Sequence, residues 1–152
     1  MTPAATLSVS REFYRGYELC WGNGLPAMDG KRNALIPGVV CLAFSVELGL
    51  KAVILAAQPS ATGHKLEALF GLLTPEDQAS VIQHSGYERQ RFELELEAVS
   101  NAFVEWRYIH EKPGLQSISV QFLLLIRSAI EVLAERNSQL HREQLKGGSG
   151  DA

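Results

Sequence analysis

Residues 37–57, PGVVCLAFSVELGLKAVILAA, decide the fold: they are apolar on nearly every side and carry two charges, Glu47 and Lys51. A helix that is apolar all round must be covered by other helices or by lipid. Val39 to Ala57 approaches membrane length, but charges near its middle would be costly in hydrocarbon, so the segment reads as a buried core helix. Glu47 and Lys51 lie one turn apart and are the only charges between Asn33 and Gln58. Leaving such a charge buried and unpaired costs on the order of several kcal/mol. They must therefore pair with each other or meet partners on a facing helix. One reading is a structural ion pair that fixes helix register; the other is a polar pocket inside the bundle.

The flanking sequence supplies the covering helices. Residues 7 to 21 place Phe13, Tyr14, Tyr17, Cys20 and Trp21 on one stripe, the period of an amphipathic helix. Gly22 to Gly30, with three glycines and a proline, is a loop. After the core helix ends at Gln58–Gly63, a short helix is predicted from His64 to Leu73. Thr74-Pro75-Glu76-Asp77 then combines a cap, a first-turn proline and acids at the positive helix end, which starts a second short helix. From Glu88 to Glu111, the series Phe92, Leu96, Val99, Phe103, Trp106 steps by four and three residues, a bundle seam that continues onto His110. Lys112-Pro113-Gly114 stops that helix, and Ser117 to about Leu145 forms the last, with Val120, Leu123, Leu124 and Ile130 inward. No stretch alternates with period two. The expectation is all-α: an up-and-down bundle of four long helices plus a short helical hairpin, one domain over residues 1–146 with a flexible tail at 147–152.

Composition agrees with one globular domain of 152 residues, 46% hydrophobic and 20% charged. A net charge of −3 and a pI near 5.8 give no global attraction to nucleic acid or to an anionic membrane, so any such contact must use a local basic patch. The N-terminus lacks the build of a secretory signal, and Cys20 and Cys41 have no metal-ligand spacing, which points to the cytoplasm. The four histidines match no zinc motif, and Gly22–Gly30 lacks the lysine and hydroxyl of a phosphate loop. No metal and no cofactor are expected.

Partners for the buried charges are sought at the end of the fifth helix. Helical spacing sets Arg107 one turn after Phe103 and His110 one turn after Trp106, so both are expected at the inward seam, with Tyr108 and Glu111 beside them. An inward arginine needs an anion. Glu47 could supply it as a core bridge, or a phosphate could, since guanidinium offers a fork for bidentate contact. His64, after the glycine that closes the preceding loop, reads on its own as a helix cap.

Three blocks together resemble a known family. Ser45-x-Glu47-Leu48-x-Leu50-Lys51-Ala52, then Gly63-His64-x-Leu66-x-x-Leu69-Phe70, then Phe103-x-x-Trp106-Arg107-Tyr108-x-His110-Glu111 are similar, in order and spacing, to the HEPN family of small helical bundles. The resemblance covers residues 40 to 111. It implies a homodimeric bundle; many members are metal-independent ribonucleases of toxin–antitoxin and phage-defence systems, and others are non-catalytic nucleotide-binding or scaffold modules. In the ribonucleases an arginine stabilises phosphorane charge while a following histidine activates the ribose 2′-hydroxyl. By position that couple is Arg107 and His110, although only two residues separate them. Arg136-Asn137-Ser138-Gln139-Leu140-His141 has the family spacing and its asparagine, and Arg136 with His141 is the alternative couple. The expectation is RNA or nucleotide binding in a cleft lined by Glu47, Lys51, His64, Tyr108 and Glu111, with RNA cleavage and an antitoxin or other protein partner as further implications, and no membrane. The competing expectation is a non-catalytic interaction module.

Overall fold

The structure, a computed structural model, describes residues 2–21, 34–114 and 117–147, with side chains of the last segment described as far as Asn137. The loop expected at 22–30, the side chain of His141 and all of the tail expected at 147–152 but Gly147, which ends α7, lie outside the described residues. Among the described residues seven α-helices follow one another: α1 Pro3–Trp21, α2 Leu35–Ala57, α3 Leu66–Gly71, α4 Pro75–Ser85, α5 Arg89–Val99, α6 Ala102–Arg107 and α7 Val120–Gly147, with a 3-10 turn at Ile109–Glu111. The all-helical expectation holds.

Helix α2 is the hub, packed against α1, α3, α6 and α7. It is long and apolar enough to cross a membrane by length and composition, and 67% of its most apolar window is buried in the bundle. Leu42, Val46, Leu50 and Ile54 have no more than a trace of exposed surface. Helix α1 lies antiparallel to α2, since Ser10 meets Ser45 while the α1 end meets the α2 start through Ala34 N–H to Cys20 O, 3.1 Å. Glycines permit the approaches: a Cβ at Gly38 would stand 2.2 Å from Trp21 Nε1, and one at Gly49 would stand 2.8 Å from Ile130 Cγ2. Helix α7 runs parallel to α2, with Arg127 at Ser45 and Ile130 at Gly49.

The signals at Thr74 act as read. Its Oγ1 accepts the Asp77 N–H at 3.1 Å, Pro75 occupies the first turn, and Gly86 closes α4 in the left-handed region at φ 73°. Helix α4 then packs on α7, and Phe70, Phe92 and Phe122 join α3, α5 and α7 with ring centroids 5.1 and 5.2 Å apart.

One expected long helix is broken. The seam from Glu88 to Glu111 divides at Ser100-Asn101 into α5 and α6. The cause is the start of α3, whose first N–H groups have no partner within their own helix. Ser100 serves both: its carbonyl accepts Leu66 N–H at 2.9 Å and its Oγ accepts Glu67 N–H at 3.1 Å. Phe92, Leu96, Val99 and Trp106 are buried as the period predicts, but α6 ends at Arg107 and the 3-10 turn that follows does not continue the seam.

Candidate functional site

Glu47 anchors the site. Its side chain is 0% exposed, and its Oε1 receives two donors, Lys51 Nζ at 2.7 Å and His64 Nδ1 at 2.9 Å. Lys51 follows one turn later on α2, as the i,i+4 reading requires, while His64 arrives from the segment that leads into α3. Oε2 is buried without a hydrogen-bond partner among the described residues. The ammonium beside it makes Glu47 a carboxylate, and a carboxylate can only accept; His64 Nδ1 therefore carries the hydrogen of this bond. The His64 side chain is 60% exposed, with Nε2 on the edge of the ring away from Glu47.

His64 leads to an aromatic row. Its ring lies 6.2 Å from that of Phe103, which stacks on Phe44 at 4.3 Å, and Phe44 meets Phe13 edge-on at 4.5 Å. Arg107 lays its guanidinium 4.9 Å from the Phe103 centroid and 4.8 Å from that of Tyr108. Guanidinium on an aromatic face is held by cation–π attraction while its edge stays available.

This placement corrects the expected geometry. Arg107 is exposed and does not answer Glu47; His64 does, and His64 caps no helix, because the N-cap of α3 is Lys65. Trp106 is inward as the seam predicts, but α6 ends at Arg107 and gives way to the 3-10 turn, and Arg107, Tyr108, His110 and Glu111 lie outside. His110, 73% exposed, is 3.7 Å from Glu111 and belongs to no buried network. The structure thus gathers Glu47, Lys51 and His64, places Arg107 and Tyr108 at their margin, and leaves His110 and Glu111 apart.

Of the alternative couple, Arg136 bonds Asp77 across α7 and α4. Arg136 and Asn137 also line a cleft of about 820 Å³ whose floor includes Leu7, Ala52 and Ala56. Among the described residues, no three His, Cys, Asp or Glu side chains gather as a metal centre would need.

A second buried cluster has no counterpart in the sequence reading. Arg127 on α7 is buried; its Nε donates to Ser45 Oγ at 2.8 Å, Nη2 donates to Glu131, and the guanidinium lies 5.0 Å from the Tyr14 centroid. Ser10 Oγ donates to the Ser45 carbonyl at 2.7 Å, and Arg11 reaches Glu131 at 2.7 Å. Burial opposes ionisation of Glu131, yet hydrogen bonds from Arg11 and Arg127 outweigh it and hold the carboxyl below its ordinary range. Burial lifts the Tyr14 phenol, so it stays neutral under the guanidinium. The signal was present: Arg127 and Glu131 are an opposite-charge i,i+4 pair within an apolar run, the same pattern that marks Glu47 and Lys51.

Comparison with protein-family models, with curated proteins and with solved structures finds no match to this chain.

Proposed function

We propose that the chain is a HEPN-like helical domain that binds RNA or a nucleotide on the face formed by Lys51, His64 and Arg107. One observation carries this reading. A half-buried phenylalanine, Phe103, has an exposed histidine anchored to a buried carboxylate near it and an exposed guanidinium on it. The exposed guanidinium complements phosphate, and a guanidinium plane can stack on an unpaired base. A chain of net charge −3 needs such a local patch to hold a polyanion. The family resemblance adds a homodimer and, for its ribonuclease members, a toxin or phage-defence setting.

Titration of the purified protein with labelled RNA over a range of salt tests the reading. Arg107→Ala is expected to weaken binding by about 1 kcal/mol and to lower the salt slope by about one. Unchanged affinity in that variant would remove Arg107 from the interface. Incubation with total RNA in the presence of chelator then asks whether binding is followed by cleavage.

A non-catalytic module is the second reading, and the separate engagement of Arg107 and His110 favours it, because an arginine–histidine couple must converge on one phosphate to cleave. On this reading RNA binds without being cut, or the face receives a protein.

A further inference from the structure

We propose that Cys20 and Cys41 form a reversible disulfide that clamps the last turn of α1 to the second turn of α2, so that the stability of this helical hairpin follows the redox state around it. The clamp is independent of what the His64 face binds.

The two cysteines sit in one layer of the antiparallel pair. A Cβ at Gly16 would stand 3.3 Å from Cys41 Sγ and 3.8 Å from its Cβ, and one at Gly38 would stand 3.2 Å from Cys20 Cβ. Gly16 lies one turn before Cys20 on α1, and Gly38 one turn before Cys41 on α2. Each cysteine is therefore seated on the glycine one turn from the other. Both gaps are no wider than the roughly 3.5–4.5 Å between the Cβ atoms of a disulfide, so the backbones are close enough here for a bridge. Cys20 is the last residue but one of α1, and helix ends fray, so only the final turn has to adjust to align the sulphurs. Both thiols are free and half-buried, within reach of a small oxidant. Burial pushes the Cys41 thiol up, and the neighbouring Cys20 adds to the rise.

The oxidant is a peroxide. It transfers one oxygen to the first thiol, giving a sulfenic acid, and leaves as water or an alcohol. The second thiol attacks the sulfenic sulphur, the S–S bond forms, and the hydroxyl departs as water with the second thiol's proton. Two electrons thus pass from the two thiols to the peroxide, and a dithiol reductant returns them by exchange. The bond closes residues 20–41 into a loop, which restricts the unfolded chain more than the folded one. In the reducing compartment that the sequence leads one to expect, such a bond is transient and serves redox sensing.

The full chain is treated with hydrogen peroxide, remaining thiols are alkylated, and the product is read by intact mass, by peptide mapping without reductant and by thermal unfolding. The expected product is a monomer lighter by two hydrogens in which the peptides of Cys20 and Cys41 are linked. Its Tm is expected to rise by about 10 °C, as for a loop of this length in a domain of this size, and to return on addition of dithiothreitol. Cys20→Ser and Cys41→Ser, treated in the same way, are expected to show no shift. Peptide mapping of the unsubstituted protein decides the linkage even where a serine variant does not fold. Peroxide that leaves both thiols alkylatable overturns the proposal, as does a product holding only sulfenic or sulfinic acid, or a disulfide between two chains. A linked monomer with unchanged Tm overturns the clamp, and a rise that persists in Cys20→Ser overturns it as well.

Discussion

At Ser45, helix α2 meets the guanidinium of Arg127, which is sealed beneath Tyr14 and closed off by Glu131; at Glu47, two residues on, the same helix meets the mostly covered Lys51 and His64, which opens to water. Two residues turn a helix by about 200°, so the clusters occupy opposite faces. Both answer a charge inside an apolar core with a polar network. They differ in what can relax. Arg127 is 4% exposed and has a nitrogen, Nη1, without a partner among the described residues, so its charge depends on Glu131. Lys51 and His64 can turn outward if their carboxylate is lost. The first cluster locks α1, α2 and α7 together, and the second leaves a titratable group on a surface. A buried charge thus marks a site only when its partners reach solvent.

Four substitutions break or sharpen this contrast. The largest effect is expected at Glu131→Ala, which strands Arg127: about 3–5 kcal/mol of stability, seen as a lower urea midpoint at unchanged slope. The pH dependence follows in sign. The folded carboxyl lies below its ordinary range, so its contribution is complete above the unfolded carboxylate range and is lost as pH falls through the folded value. The gap between the protein and the variant should therefore narrow on acidification. Gly49→Ala comes next, because the added methyl would stand 2.8 Å from Ile130 Cγ2 beside the sealed cluster; about 2 kcal/mol is expected by the same measurement. Glu47→Ala should cost less than Glu131→Ala, about 1–2 kcal/mol, since its partners regain water. An equal or larger loss would make the open cluster as structural as the closed one. His64→Ala is expected to stay within about 0.5 kcal/mol in thermal unfolding, as befits a largely exposed side chain.

The fold was legible where local signals agree with packing. The all-round apolar α2, the Thr74 cap and the seam of Phe92, Leu96 and Val99 all lie where their residues place them. The site was legible in part. Glu47 and Lys51 were marked by charge in an apolar run, and their i,i+4 bond is present. Their third partner was misassigned because the period from Phe92 was carried beyond Trp106, whereas α6 ends at Arg107 and Ser100 has already divided the helix in its bond to α3. Nothing local to residues 88–111 encodes that demand, which arises from a helix start far away in the chain. Arg127 and Glu131 carry the same i,i+4 pattern in an apolar run, and what seals them, Tyr14 and Ser10 of α1, is distant in the chain.

Ser100 binds the first two N–H groups of α3, and His64 sits just before that helix. The α5–α6 junction and the candidate site are therefore one thermodynamic unit. Any molecule that orders His64 lowers the chance that α3 detaches from Ser100, and by reciprocity any change that loosens the junction weakens that molecule's hold. A serine far from the carboxylate thus helps hold the segment that carries the histidine.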